Sequence, residues 1–259
     1  MSKRQLRVHS LPAHIAAEEL AESAVVVIDL LRATSTICQA LASGALEVVP
    51  VLEVEDALAA AAAAEYRSAI VLGGERKGGR IPGFELGNSP SEYTPAAVGG
   101  RCVVITTTNG TRALHHARYA RRVIVASCLN LSAVVASIKE EARVDVLCAG
   151  TNGVETDEDI LAAGGFVHEL CNVDGASSTE NITSAAVMAG AKWSLLKAKS
   201  QAAGRTLSEE LAITLRDTQG GRNLLGIGLD QDLVDCAQID RLTVVPELDL
   251  RAWRIRLAH

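Results

Sequence analysis

Residues 24–43 read AVVVIDLLRATSTICQALAS. Five apolar residues, four of them β-branched, run from Ala24 to Ile28 and end at Asp29. A half-exposed strand would alternate apolar and polar side chains; an unbroken run of this length, closed by a polar loop, predicts a strand covered on both faces. The hydroxyls of Thr34, Ser35 and Thr36 then open an apolar-faced helix predicted to run to about Ser43.

The same unit of strand, polar loop and helix recurs outward from this stretch. Strands are predicted at Glu47–Leu52, Ala69–Leu72, Cys102–Thr107, Val123–Ser127 and Val144–Cys148, with a last one at Leu242–Leu248 before a basic tail. Pro50 marks the first of these as short or at an edge. Helices are predicted over Glu55–Tyr66, after Asn109, over Leu131–Ala142 and over Ile160–Leu170, and from Asn181 to about Leu229 the pattern turns helical. The expected fold is α/β: a mostly parallel or mixed sheet covered by helices on both faces, with a helical segment in the C-terminal third. Residues 1–259 read as one unit, with two intertwined α/β halves as the other organisation. TTNGTRAL at 107–114 and GTNGVETD at 150–157 echo one another, a hint of a repeated strand–loop–helix unit. The helix around Trp193 carries a broad apolar stripe, which core burial explains; a homodimer interface is its alternative use.

Composition narrows the partners. With 25 Lys plus Arg against 31 Asp plus Glu the net charge is −6, which argues against nucleic acid and membrane surfaces. Aromatic residues are only 3% of the chain, too few for base-stacking platforms, while 48% apolar residues suffice for a core. The N-terminus lacks an apolar leader and no run of about 18 apolar residues occurs, so a cytoplasmic location is expected. Six scattered cysteines without a CxxC read as buried reduced thiols.

Chemistry concentrates in the loops after four strands, where ligands collect in open α/β sheets. The first holds Asp29, Arg32, Thr34 and Ser35. A carboxylate at the end of a buried strand needs a partner: Arg32 with helix-capping hydroxyls is the structural use, a metal ligand beside an anion-binding arginine the functional one. The second, Gly73–Tyr93, packs six glycines with Glu75, Arg76, Lys77, Arg80, Asn88 and Ser89. Glycine admits close backbone approach and arginine grips oxyanions in two-pronged fashion; turns at a surface are the plainer reading. The third, Thr106–Arg112, offers Asn109, Gly110 and Thr111 to an oxyanion or to a helix cap. The fourth runs from Gly150 into Glu155, Asp157, Glu158 and Asp159, acids that suit a helix N-terminus or a hard cation such as Mg²⁺. No P-loop, zinc spacing or nucleophile elbow occurs, and Asp29 opens no DxD pair, since Leu31 stands two residues on.

VVIDLLRATSTI, GGERKGGRIPGFELGNSPSEY, TTNGTRAL, CAGTNGVETDEDILAAG and GGRNLLGIGLDQDLVDCAQIDRLTVVP together resemble the 2-phosphosulfolactate phosphatase family over roughly Val25 to Pro246. The resemblance implies a Mg²⁺-dependent hydrolase that converts 2-phospho-3-sulfolactate to 3-sulfolactate and phosphate, a reaction of coenzyme M biosynthesis. A small anionic phosphate ester is then the expected partner. Its expected catalytic residues are Asp29, Glu75 and Arg76, and its expected metal ligands Asp29, Glu75 and Asp159. Arg32, Thr34, Ser35, Asn88, Ser89, Asn109, Gly110, Thr111 and Gly150 are the expected substrate contacts, with Arg80 and Arg112 adding positive charge. Two other readings compete: a non-catalytic anion-binding module, and an isochorismatase-like amide hydrolase using Cys128 or Cys148 as nucleophile.

Overall fold

The computed structural model describes residues 4–63, 69–174 and 181–258. Ten strands form one mixed, mostly parallel sheet, ordered β1-β8-β2-β7-β9-β10-β3-β6-β4-β5. The central stretch forms β2 (Ala24–Ile28), every residue of which is buried, followed by helix α1 (Ala33–Ala42). Around it lie β1 (Gln5–His9), β7 (Arg122–Ala126) and β8 (Arg143–Cys148), all parallel to β2 or to its neighbour. A second parallel block holds β3 (Glu47–Pro50), β6 (Cys102–Thr106) and β4 (Ile70–Arg76), with the two-residue β5 (Gly79–Arg80) closing a hairpin on β4. Between the blocks stands the antiparallel pair β9 (Pro246–Asp249) and β10 (Arg254–Leu257), so the blocks run in opposite senses along the sheet.

In a flat sheet those senses would put the carboxyl ends of the two blocks on opposite edges. The side chains show that the sheet folds over instead. Val25, Val27, Val123 and Val125 from the first block share a core with Val48, Val103 and Ile105 from the second, and Ile37 and Leu41 of α1 lie in that same core. Helix α4 (Gly110–His116) contributes Ala113 and Leu114 to this middle layer. The alternate residues Val26, Ile28, Ile124 and Val146 face outward, against α5 (Leu131–Ile138), α6 (Asp157–Asp174) and α7 (Ser184–Ala202). That layer also holds α8 (Leu207–Leu215), α9 (Gln219–Gly226) and α10 (Asp230–Cys236). On the far side, Leu72 and Val104 meet Ala57 and Ala61 of α2 (Val54–Ala63). A short helix, α3 (Pro95–Val98), precedes β6. Both faces of both blocks are thereby covered, as the unbroken apolar strands require.

Several boundaries differ from the sequence reading. The third predicted strand does not stop at Leu72: Gly73 and Gly74 stay paired with Ile105 and Thr106, carrying β4 on to Arg76. Pro50 lies in an interior strand; β10 meets β3 only at Val48, leaving Pro50 out of that ladder. β1 and β10 were absent from the expected strands because charged residues alternate through them. Arg7 of β1 bonds the buried Asp145, and Arg254 and Arg256 of β10 grip Glu47 of β3. The last strand begins at Pro246 in place of Leu242. Residues 64–66 of the alanine-rich helix lie outside the described residues. Trp193 is buried against α6, as the stripe predicted, and no helix among the described residues is long and apolar enough to cross a membrane.

Candidate active site

Folding the sheet over brings the loops after β2, β4, β6 and β8 to one end of the molecule. There they line a cleft of about 420 Å³ that includes Asp29, Arg32, Glu75, Arg76, Asn109 and Asn152. The two echoing loops meet at its rim, where the Asn152 backbone N–H donates to Asn109 Oδ1 at 3.0 Å.

Asp29 leaves β2 with its carboxylate turned into the first turn of α1. Oδ1 accepts from the Ala33 N–H at 3.3 Å. An added methyl at Gly110 would sit 2.8 Å from Asp29 Oδ2 and 2.5 Å from Ala33 Cβ, so only glycine lets α4 approach this closely. Burial pushes the Asp29 carboxyl up to about 7; the bond from Ala33 opposes this, and the nearby charges of Glu75 and Glu158 add to it. Glu75 arrives from β4 and is held at both oxygens, Oε2 by the Gly78 N–H at 2.7 Å and Oε1 by the Thr108 N–H at 2.8 Å. Two carboxylates from opposite blocks therefore flank the 108–110 turn.

Positive charge lines the cleft beside them. Arg32, after a cis Leu31–Arg32 peptide, is buried and donates to Ser89 Oγ (2.9 Å), Gly78 O (2.7 Å) and Asp232 Oδ2 (2.6 Å). Ser89 in turn donates to Asp232 at 2.7 Å. Arg76 is moored to carbonyl and hydroxyl oxygens alone, those of Glu75, Leu52 and Thr106. Lys77 is exposed at the hairpin tip, in the left-handed backbone region at φ 54°. Asn88 is buried on the cleft wall, and its Oδ1 has no hydrogen-bond partner among the described residues.

Other expected site residues serve the frame. Thr34 Oγ1 donates to Asp29 O and accepts from its N–H, Ser35 bonds Leu30 O, and Thr111 bonds Thr107 O. All three are buried and absent from the cleft lining. Asp159 is likewise off the lining: its oxygens accept from the Leu30 N–H at 2.8 Å and the Gly150 N–H at 3.0 Å, tying β2 to the loop after β8. Burial together with the Asp29 and Glu158 charges raises its carboxyl well above the usual range. Arg112 is exposed on α4 and does not line the cleft. Sequence reasoning passed over Asp232 and Gly220, and named Glu158 only among the acids of the fourth loop. Glu158 accepts from the Gly220 N–H at 3.0 Å and leaves Oε2 unpartnered. Their signal lay in the DQD and GGR runs of the late segment, but Asp232 acquires meaning only once Arg32, two hundred residues earlier, is seen to reach it.

A profile described as 2-phosphosulpholactate phosphatase matches residues 9–250. The chain belongs to that family. Among its relatives, a probable 2-phosphosulfolactate phosphatase of Symbiobacterium thermophilum is 42% identical over 231 residues, covering 89% of this chain and 93% of that protein. Proteins of the same description from Caldanaerobacter subterraneus subsp. tengcongensis (37% identical, 89% of each chain) and Clostridium perfringens strain 13 (36% identical, 90% of this chain and 89% of that one) align over similar lengths. Family membership makes the chain an enzyme, a phosphoric monoester hydrolase. It also separates the phosphatase reading from the thiol one. Cys128 and Cys148 are buried at strand ends, and burial raises both thiols, Cys128 to about 12, far from the thiolate an amide hydrolase needs. His115 stands edge-on to Trp253 and His116 bonds Ile15 O, uses that hold the fold together away from the cleft.

Proposed function

We propose that this enzyme hydrolyses 2-phospho-3-sulfolactate to 3-sulfolactate and inorganic phosphate, with Mg²⁺ held by Asp29 and Glu75. The observation that carries the reading is the convergence of two buried carboxylates with Arg32, Arg76 and Lys77 in one cleft. The names of the relatives point to the same substrate.

The donor set suits a hard cation. Mg²⁺ takes one or two carboxylates and fills its other positions with water and substrate oxygens. Asp29 and Glu75 repel one another, which helps to raise the Asp29 pKa, and a cation between them relieves that repulsion. Among the described residues no group of three His, Cys, Asp or Glu closes a full protein cage, and Asp159 lies off the cleft lining that Asp29 and Glu75 share. The proposed ligand set is therefore the pair alone. When bound, Mg²⁺ supplies charge against the phosphoryl oxygens.

The chain's own groups do the rest. Arg76 and Lys77 have no carboxylate partner among the described residues, so their charge is free to meet the phosphoryl oxygens and the flanking acid groups. Arg32, clamped by Asp232, Ser89 and Gly78, presents a fixed guanidinium edge. Without a cation Asp29 titrates at about 7; its carboxylate is the group placed to accept the proton of the attacking water as the ester P–O bond breaks, and the leaving alkoxide takes its proton from solvent.

Proton and cation then compete for Asp29. Phosphate release should rise with pH through about 7, and added Mg²⁺ should move that midpoint downward. A colorimetric phosphate assay across pH at two Mg²⁺ concentrations measures this; a midpoint indifferent to Mg²⁺ argues against Asp29 as a ligand.

A further inference from the structure

A second cavity, about 400 Å³, adjoins the cleft and shares Arg32, Arg76, Lys77, Gly78, Asn88 and Ile227 with it. The two differ in what they do not share. The first holds Asp29 and Glu75; the second adds Arg80, Ser89 and Glu92, and no free carboxylate. Glu92 is committed, its Oε2 accepting from the Gly87 N–H at 2.8 Å. Arg32 is neutralised by Asp232 in a buried pair. With Arg32 and Asp232 cancelling, the net charge of this cavity is that of Arg76, Lys77 and Arg80, the three cations of the β4–β5 hairpin, less the one carboxylate charge that Glu92 keeps. None of them has a carboxylate partner among the described residues; Arg80 touches only the Glu85 carbonyl. Asn88, buried on the wall between the cavities, has its amide oxygen Oδ1 without a partner among the described residues, an acceptor that a water bridging to a ligand anion would satisfy.

We infer that the second cavity holds the sulfonate, one of the two acid groups of the substrate that are not transferred, with Arg80 as its specificity-determining residue. This rests on the phosphatase reading above. The carboxylate end of the cleft takes the phosphoryl group with its cation. The shared wall of Arg76, Lys77 and Asn88 spans both cavities, and the hairpin cations receive an oxyanion two carbons along the ester, a sulfonate. A monoester without the sulfonate leaves the hairpin charges unmatched and is selected against.

The test compares 2-phosphosulfolactate with 2-phospholactate, the same ester lacking the sulfonate, in wild-type enzyme, Arg80→Ala and Arg80→Lys. Loss of a charge-assisted contact predicts that the ratio of kcat/KM for the two esters falls about tenfold in Arg80→Ala, through KM for the sulfonated ester, with partial recovery in Arg80→Lys. An unchanged ratio overturns the inference. Calorimetric titration with 3-sulfolactate separates it from the reaction itself. If wild-type enzyme cleaves neither ester yet binds 3-sulfolactate about tenfold more tightly than Arg80→Ala does, the anion site stands and the proposed reaction fails. If it cleaves the sulfonated ester and Arg80→Ala binds 3-sulfolactate equally well, the reaction stands and the anion site fails.

Discussion

Asp29 is held where its charge is least comfortable, and that discomfort is measurable. Its folded-state pKa of about 7 lies well above the roughly 3.9 of an unfolded aspartate. The folded protein thus binds this proton more tightly than the unfolded chain. The favourable contribution is complete below about pH 4 and is lost as pH rises through about 7. Asp29→Asn removes the ionisation, so its melting temperature should exceed that of the wild type by at least about 3 °C at pH 8, with the gap closing toward pH 4, while phosphate release is lost. Scanning calorimetry at the two pH values checks the sign. The buried Arg32–Asp232 pair works the other way. Asp232→Ala strands a buried guanidinium and should cost about 3 kcal/mol in urea unfolding, whereas an exposed pair such as Arg216–Asp230 should cost under about 1 kcal/mol. At this scale Asp29 was legible in the sequence as a charge closing an apolar run, and Glu75 as a carboxylate within a glycine-rich, basic loop. Thr34, Ser35 and Thr111 were not, since a hydroxyl at a helix start serves a cap and a ligand equally well in sequence and only the structure shows which oxygen it meets. Asp232 was invisible for the opposite reason, its partner lying far away in the chain.

The elements carry the site through close packing. α6 and α7 approach so tightly that a methyl group at Gly164 would run into the Ala189 carbonyl and the Trp193 Cβ. Because α6 carries Glu158 and Asp159 at its start, Gly164→Ala should cost about 1–3 kcal/mol and disturb the loop tied down by Asp159, readable as a lower urea midpoint with a raised KM. Period and turn chemistry located most of the strands and helices, since an unbroken β-branched run and a capped amphipathic stretch are local signals. They missed β1 and β10, whose charges answer partners on other strands. The reading of Gly73–Tyr93 as one long loop missed that its first residues continue β4. Ile81 and Phe84 also anchor its middle in a core with Leu72 and Val104.

At the scale of the molecule, the β9–β10 hairpin is what allows two parallel blocks of opposite sense to bring their carboxyl ends together. β10 touches β3 through Val48, and Arg254 and Arg256 fasten it to Glu47. Ending the chain after Leu250 removes β10 and no residue of the cleft, yet should abolish phosphate release and leave unfolding less cooperative by circular dichroism. Composition argued against nucleic acid and membrane surfaces through a net charge of −6, but said nothing of this arrangement, in which acids gather at one end of the cleft and arginines at the other. The central claim is that Asp29 and Glu75 hold a cation the reaction requires. Its most direct test is phosphate release from 2-phosphosulfolactate, titrated with Mg²⁺ after chelator treatment, for wild type and Glu75→Gln. The expected result is no turnover without Mg²⁺, saturable recovery in the wild type, and at least about tenfold more Mg²⁺ needed by the variant. Full turnover in chelator, or the same Mg²⁺ dependence in both proteins, would contradict it.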